Sequence, residues 1–381
     1  MKKLPLTVTI LTSLQEIERL VPDWERLANQ DVTEGFFRSP SWCLTWMRHI
    51  VPDATPLVMV VRDEEIVAIA PLCFRRERSG LRIISLAGND IVCGEYLDFL
   101  SRPEYRRAAL ECIWTALFTD APKWDLLSLG AIHSEGDLYW EAHKRSEDTG
   151  LMLRSEERLC PFIELAATFD EYLERFSKRR RKHFARATRI FRDAGVEVKT
   201  YSKPDELQFA MSRLIDLHTL RWNTLGKSGT LGLPGFEQFL HSLGRTQGRN
   251  GVLRLYTLEV DGVAKAAMLN FHYGTSVFQF QNGFDPGWSL ARHSPGSVLV
   301  LHGIKTAIEE GRRFYDFLRG AEEYKFHFAD RAKPITSVHL ARTYRGKLYL
   351  LARGLRGTLA RLKPSGGNSG AVNREWVFFP Q

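Results

Sequence analysis

Apolar and polar residues follow strand and helix periods in alternation along the chain, which predicts an α/β fold with a mixed sheet. Threonines alternate with Val8 and Ile10 and predict a first strand. Capping boxes at Ser13 and Thr168 predict two helix starts, and Ser39 before a proline predicts a third. Further predicted strands are residues 57–61, 66–74, 124–129, 255–260, 263–271 and 277–284, and further predicted helices are residues 104–118, 207–225, 298–310 and 348–362.

Two stretches of the first half return in the second half at nearly the same spacing. The text LVMVVRDEEIVAIAPLCF from Leu57 resembles LYTLEVDGVAKAAMLNF from Leu255, and WDLLSLGA from Trp124 resembles YDFLRGA from Tyr315. Such self-similarity is the signature of an internal duplication. We therefore predict two tandem domains, residues 1–165 and 166–345, followed by a basic helix and flexible tail over residues 346–381.

The composition is that of a globular protein with a full core. Of 381 residues, 44% are hydrophobic and 26% charged, which excludes a disordered chain. We expect Trp42 and Trp46, at helical spacing, to pack in the core. The five cysteines are scattered, so we expect neither a disulfide framework nor a metal site. No apolar run reaches the roughly 18 residues that span a bilayer, and we expect a cytoplasmic protein.

The formal net charge of +8 is concentrated in two segments. Residues 175–192 hold nine basic side chains and residues 341–363 hold seven, and neither segment contains an acid. Such patches indicate an anionic partner, here a membrane surface or an acyl carrier, with nucleic acid the less expected partner. A solvated helix face explains them equally well.

A glycine-containing loop joins the predicted 277–284 strand to the following helix. Such a loop points backbone N–H groups and the positive end of a helix dipole at a ligand, which suits a pyrophosphate. The corresponding stretch of the first half, residues 101–105, has no glycine and contains an acid. Any phosphate ligand should therefore bind the second half, where the predicted contacts are Arg292, His293, Ser294, Gly296 and Ser297.

These residues support a family resemblance. The second half resembles the GNAT acyltransferase fold, and the whole chain resembles the double-GNAT group with the CelD-like proteins and, more distantly, the FemABX aminoacyltransferases. The similar stretches are residues 217–222, 255–271, 282–286, 294–296, 316–320 and 323–325. The resemblance implies transfer from acyl-CoA, without a metal, to an amine or hydroxyl, with a sugar of exopolysaccharide or cellulose production as one acceptor. The GNAT phosphate-loop pattern is only partly kept, as Arg292 and Gly296, which leaves the acyl carrier open.

Acyl transfer needs a base, an oxyanion donor and an acid for the leaving thiolate. The leading base candidate is Asp285, at the end of the 277–284 strand, although capping its Asp-Pro-Gly turn would explain it as well. Asp316 is a candidate for orienting the acceptor, against a bond to neighbouring backbone. The resemblance implies that Tyr324 protonates the thiolate, against simple packing.

The predicted acceptor contacts are Arg221, Trp222 and Lys325. An arginine beside a tryptophan can clamp an anionic or sugar-like group, although a surface arginine beside a core tryptophan is equally expected. Lys325 resembles a FemABX lysine and would contact a phosphate or carboxylate. His293 and His327 are secondary acid or base candidates.

Two other functions stay open. An aminoacyl-tRNA donor would place RNA on the 175–192 helix, and binding would then weaken steeply with salt. A non-catalytic protein would dock on nucleic acid or an anionic membrane, with the helix from Leu348 at the membrane. Metalloprotease, serine hydrolase and P-loop motifs are absent from the sequence.

Overall fold

One mixed sheet of thirteen strands runs through both halves of the chain in a computed structural model that describes residues 5–88, 94–226, 229–320 and 322–362. The strands are β1 Thr7–Leu11, β2 Thr55–Arg62, β3 Ile66–Arg76, β4 Arg82–Leu86, β5 Leu100–Ser101, β6 Leu126–His133, β7 Met152–Glu164, β8 Glu197–Tyr201, β9 Leu253–Val260, β10 Val263–Tyr273, β11 Ser276–Phe284, β12 Phe314–Asp316 and β13 Arg331–Ala341. The helices are α1 Leu14–Glu18, α2 Val21–Ala28, α3 Pro40–His49, α4 Arg106–Thr119, α5 Asp137–Thr149, α6 Phe169–Glu174, α7 Lys178–Asp193, α8 Pro204–Thr224, α9 Phe236–Gln247, α10 Pro295–Glu309 and α11 Tyr344–Leu362.

The two halves have the same strand order and exchange their last strands. In the first half β1, β2, β3 and β4 pair antiparallel, and β4 pairs parallel with β6. In the second half β8, β9, β10 and β11 pair antiparallel, and β11 pairs parallel with β12. The strand β7 from the first half pairs with β12, whereas β13 from the second half pairs with β6. Because β7 and β13 also pair with each other, the exchange joins the halves at the centre of the sheet.

The repeated order agrees with an internal duplication, but one sequence match is out of register. Asp125 directly precedes β6, where it binds Arg82 and Thr343 at the outer end of the strand. Asp316, its counterpart in the sequence match, is instead the last residue of β12 and pairs with Phe278. Residues that match in the sequence therefore occupy different structural positions in the two halves. The limits predicted for the tandem domains stay a prediction.

In each half the parallel strand pair separates after three residue pairs. In the first half β4 and β6 separate after Ser85 and Ser128. Residues 94–101 run into that gap, where the Leu97 N–H donates to the Ala131 carbonyl at 3.0 Å. In the second half β11 and β12 separate after Phe278 and Asp316, and β11 continues for six more residues. This second gap is where we describe a candidate site below.

An aromatic cluster packs the first half against the second. Trp42 of α3 is fully buried, with its ring centroid 5.1 Å from that of Phe239 and 5.6 Å from that of Phe280. Phe37 lies 5.1 Å from Phe278 in the same way. Trp46 is also buried, so the prediction that both tryptophans pack in the core is confirmed. Burying this much apolar surface between the halves makes them one folded body.

Most predicted elements are present, with limits that local capping explains. Ser39 caps α3 by accepting the Trp42 N–H at 3.3 Å. Ser13 makes no side-chain cap, and the helix predicted from it is broken into α1 and α2. Thr168 does accept the Glu171 N–H, but its helix ends at Glu174 and the basic residues form the separate α7. The predicted tail lies largely outside the described residues. Among those described, no helix is both long and apolar enough to cross a bilayer.

Candidate functional site

The gap between β11 and β12 is the centre of the candidate site. Beyond Phe278, β10 is the only described strand that pairs with β11, so the backbone of residues 279–284 faces the gap on its other side. The pairing with β10 slips between Leu269 and Asn270, which leaves Phe280 as an extra, bulged residue. Bulges re-aim backbone groups and are frequent next to active sites. The gap therefore offers unpaired strand N–H groups near residue 280.

Tyr324 lies in this gap within a chain of polar side chains. Gln279 donates from Nε2 to the Tyr324 hydroxyl at 3.5 Å and accepts at Oε1 from the Tyr315 hydroxyl at 3.1 Å. Asn270 donates to the same Tyr315 hydroxyl at 3.1 Å. Burial raises the pKa of the Tyr324 hydroxyl, while a hydrogen bond to Asn282 opposes that rise. Tyr324 is thus protonated at neutral pH, and its role as a proton donor stays a prediction.

Arg221 and Trp222, at the C-terminal end of α8, line the outer side of the same strand. Arg221 donates to Asn282 Oδ1 at 2.9 Å and stacks over the Phe284 ring at 4.9 Å. Burial lowers the pKa of Arg221 without discharging it at neutral pH. The Trp222 ring is tilted by 40° against the His218 ring, with 5.9 Å between the ring centroids. The structure therefore brings Arg221 and Tyr324 together through Asn282.

The predicted phosphate loop follows β11 and leads directly into α10. Ser294 stands at the helix start in the left-handed region, with φ of 61°, which is uncommon for a residue other than glycine. Its carbonyl accepts the N–H groups of Ser297 at 2.9 Å and Val298 at 3.4 Å. Gly296 has open space on the side where a Cβ would stand. Arg292 is exposed and donates to His293 at 3.2 Å. All five predicted contacts thus lie in one short stretch at the start of α10, and their contact with a phosphate stays a prediction.

Asp285 is held by the turn it begins. Its Oδ1 accepts the Gly287 N–H at 2.9 Å, and its Oδ2 lies 3.3 Å from the Lys265 ammonium. With a partner on each oxygen, the geometry favours the turn-capping alternative. The loop it begins packs against α7, where Trp288 lies 5.2 Å from Phe191.

Asp316 is almost fully buried where β11 and β12 separate. Its Oδ2 accepts the Tyr96 hydroxyl at 2.6 Å, and its Oδ1 accepts the Leu318 N–H at 2.7 Å. Burial raises the pKa of Asp316 to about 7, against the lowering effect of Lys333 and of these hydrogen bonds. The backbone alternative is thus observed, together with a partner from the other half. Tyr96 and Leu318 both have positive φ, of 55° and 57°, and such strain concentrates at functional sites.

A second carboxylate lies beside this pair. Glu34 contacts His133 Nε2 at 2.6 Å and the Lys333 ammonium at 2.9 Å. Burial would raise the pKa of Glu34, but His133 and Lys333 outweigh it and lower that pKa to about 2. The His133 ring stacks on Tyr96 at 5.3 Å, so the cluster continues to Asp316. Within it Glu34 is ionised at neutral pH, whereas Asp316 is poised to take up or release a proton.

The segment after β12 is fixed by buried charges. Arg319 pairs with Glu95, which is fully buried in the first-half gap, and donates to the Gly94 carbonyl at 3.1 Å. Lys325 is also buried and donates to the carbonyls of Arg319 at 2.7 Å and Leu318 at 3.3 Å. Its ammonium also lies 3.0 Å from the Glu322 carboxylate, so two backbone carbonyls and one carboxylate hold it. The predicted acceptor contact of Lys325 stays a prediction.

Residues from the first half are the part of this site that the sequence did not reveal. Tyr96, Glu95 and Glu34 carry no motif, and Tyr96 is 220 residues from its partner. His327, a secondary candidate, is exposed and its carbonyl accepts Arg180 at 2.9 Å. Over the described ranges, no cluster of histidine, cysteine and carboxylate side chains could hold a metal ion.

Comparison with known proteins agrees with this geometry. Residues 178–326 match a family model described as "Acetyltransferase (GNAT) domain", Acetyltransf_6. This segment runs from the start of α7 to the turn after Tyr324 and so contains β11, β12 and the predicted phosphate loop. No curated protein sequence matches the chain.

Solved structures share the fold of nearly the whole chain at low identity. A crystal structure of FemX has a TM-score of 0.62 and 11% identity, covering 91% of this chain and 99% of its own. The C-terminal domain of a putative lysylphosphatidylglycerol synthetase from Agrobacterium fabrum has a TM-score of 0.55 and 12% identity, and the match covers 89% of this chain and 96% of that domain. L-PGS from Bacillus licheniformis has a TM-score of 0.53 and 10% identity, and the match covers 90% of this chain and 96% of that one. Residues 178–326 are thus similar to a GNAT acetyltransferase domain, and the chain as a whole shares the fold of FemX.

Proposed function

We propose that this GNAT-domain protein transfers an acyl group from acyl-CoA to an amine or hydroxyl. The observation that carries the proposal is the separation of β11 from β12 after Phe278, with Tyr324 bonded to Gln279 just beyond that point and the loop into α10 following β11. The arm of the donor would lie in the gap. Its phosphates would lie at the loop of Arg292 and Gly296, where the N-terminus of α10 favours negative charge.

The proposed step is direct attack. The acceptor nitrogen or oxygen forms a bond to the thioester carbonyl carbon while the carbon–sulfur bond breaks. A strand N–H near Phe280 stabilises the oxyanion, and Tyr324 gives its proton to the departing thiolate. The acceptor proton leaves through a base, for which Asp285 stays a candidate although Lys265 and Gly287 already hold its carboxylate.

Only the second half would bind a donor. In the first half the corresponding gap already holds residues 94–101, with Tyr96 and Leu97 buried in it. Those residues instead contact Asp316 and Arg319 of the second half. We propose that the first half serves the site by fixing the segment after β12.

The acceptor would bind on the Arg221 and Trp222 side of the gap. A guanidinium held by Asn282 beside an aromatic ring suits a sugar or an anionic group. By resemblance to the CelD-like group, we propose a sugar amine or hydroxyl of exopolysaccharide or cellulose production, acylated in the cytoplasm.

The test uses Gly296. A side chain fits there without collision, so Gly296→Glu places a carboxylate among the proposed phosphate contacts and leaves the fold intact. We expect acetyl-CoA and longer acyl-CoAs to bind the wild type in calorimetry, and Gly296→Glu to weaken binding at least about tenfold through charge repulsion. Gly296→Ala is the matched control and should bind nearly as well as wild type.

Tyr324→Phe tests the chemical step in the same assay. It should keep donor binding and lose thiol release in the presence of amine and amino-sugar acceptors, because the proton donor is gone. Absence of acyl-CoA binding by the wild type, together with no effect of Gly296→Glu, would overturn the proposal.

A further inference from the structure

Helix α11 exposes a continuous apolar stripe. Tyr344, Leu348, Leu351 and Leu355 recur at spacings of four, three and four residues, which places them on one face of a helix. Their exposed fractions are 76%, 46%, 51% and 67%. Single exposed leucines are ordinary, but a row of four on one helix face marks an interaction surface.

The opposite face of α11 is anchored to the body. Leu350 is buried among Leu81, Ile83 and Leu126. Near the start of the helix, Gly346 lies so close to the Asp125 carbonyl that a Cβ there would stand 2.2 Å from it. The helix is therefore fixed to the sheet, and its apolar stripe points away from the protein.

Charge decides which partner fits the stripe. Arg345 and Lys347 flank it, and the segment 341–363 has seven basic residues and no acid. A second copy of the chain packed stripe to stripe would bring like charges together with no acid of either helix to pair them. An anionic lipid surface satisfies both features, since leucines enter the interface and basic side chains meet the headgroups.

We propose that α11 is a membrane-surface helix that holds the protein on an anionic lipid leaflet. The apolar stripe lies in the interface, and Arg345 and Lys347 contact lipid headgroups on either side. Membrane binding by α11 does not depend on acyl transfer, because the apolar stripe lies on the solvent-exposed face of the helix and includes no residue of the candidate site.

Vesicle flotation of the full chain tests the proposal. We expect the wild type to float with vesicles of phosphatidylcholine mixed with phosphatidylglycerol, and much less with phosphatidylcholine alone. Leu351→Glu/Leu355→Glu should reduce the bound fraction at least about tenfold by removing the apolar contact. Arg345→Glu alone should reduce binding to the mixed vesicles and leave the weak binding to neutral ones unchanged.

The matched control changes two other exposed apolar residues in the same way. Val198→Glu/Val263→Glu alters residues that are 40% and 54% exposed on other elements and should float like wild type. Circular dichroism and thermal unfolding verify that each variant is folded. Equal flotation of wild type and Leu351→Glu/Leu355→Glu overturns the proposal. A wild-type dimer in sedimentation that the leucine variant loses, without vesicle binding, overturns it in favour of a second copy.

Discussion

The Tyr96 hydroxyl donates a 2.6 Å hydrogen bond to the Asp316 carboxylate, across 220 residues of sequence and from one half of the chain to the other. Both groups are buried. The bond therefore ties the segment that fills the first-half gap to the point where β11 and β12 separate. Whatever binds in the second gap meets a strand end whose position the first half determines.

Replacing Tyr96 by Phe removes this bond while keeping the ring. Because the bond lowers the pKa of Asp316, its loss should raise that pKa above about 7 and move any activity transition due to Asp316 to higher pH. A hydrogen bond to a charged group contributes about 1.5–3 kcal/mol, so stability measured above pH 7 should fall by a similar amount. Denaturant unfolding and pH–rate profiles measure the two effects.

Tyr105→Phe is the control for that variant. Tyr105 donates to Asp63 at 2.8 Å in a more accessible place, so its loss should cost less and leave the pH profile alone. Identical profiles for Tyr96→Phe and wild type would show that Asp316 does not titrate in the measured step.

Asp316 should make stability depend on pH. Its folded pKa of about 7 lies above the ordinary 3.8, so the folded state binds more protons between these values. By linkage the stabilisation is fully present below about pH 3.8 and is lost as the pH rises to about 7. Relative to Asp316→Asn, which does not titrate, the wild type should therefore lose stability over that window. Parallel stability curves for the two proteins would contradict the assignment.

The Glu95–Arg319 pair should be sensitive to the loss of one partner. Glu95→Ala leaves a buried arginine without its carboxylate, which typically costs about 3–5 kcal/mol. Asp23→Ala breaks an exposed pair with Arg26 and should change stability little. Urea unfolding of both variants provides the comparison, and equal losses would show that the buried pair is not special.

We expect the basic face of α7 to attract acyl-CoA electrostatically toward the predicted phosphate loop. The core-facing residues of this helix are Phe184, Ala187 and Phe191, while its basic side chains point outward. Within the described ranges, the only ion pair of the helix joins Arg192 to Asp193 at 3.5 Å. Since Trp288 joins this helix to the phosphate loop, we expect Lys182→Glu/Arg186→Glu/Arg189→Glu to raise the KM for acyl-CoA several-fold, leave kcat unchanged and weaken its salt dependence.

Three exposed basic residues elsewhere provide the control for α7. Arg107→Glu/Lys123→Glu/Arg249→Glu changes the net charge equally and should leave the KM near that of wild type. An equal effect of both triple variants would assign the result to net charge alone. Loss of tRNA binding by the α7 variant only, without an effect on acyl-CoA, would favour the aminoacyl-tRNA alternative.

Local sequence patterns predicted most strands and helices of the fold and the loop that follows β11. Period-two strands, the Asp261–Gly262 turn and the Ser39 cap depend on neighbouring residues, and the elements they predict are present. The position of the loop from Arg292 to Ser297, between a strand and a helix, followed from the same strand and helix patterns.

Long-range pairing lay beyond those signals. The exchanged strands β7 and β13 pair with partners that no local pattern names. The pKa of Asp316 depends on its burial beside Tyr96 of the first half. Two of the partners of Lys325 are backbone carbonyls, which no residue type in the sequence marks. Asp285 is a case in which the local motif was clear but its role was not. The Asp-Pro-Gly sequence fits a turn cap and a general base equally well, and only its contacts with Lys265 and Gly287 favour the cap.

The exchange of β7 and β13 has a consequence for synthesis on the ribosome. The edge of β6 pairs with β13, which ends at Ala341, so the sheet of the first half is complete only after the chain has been synthesised as far as that residue. An uncovered strand edge is prone to wrong pairing. A truncated or stalled chain that lacks β13 should therefore be prone to aggregation or degradation.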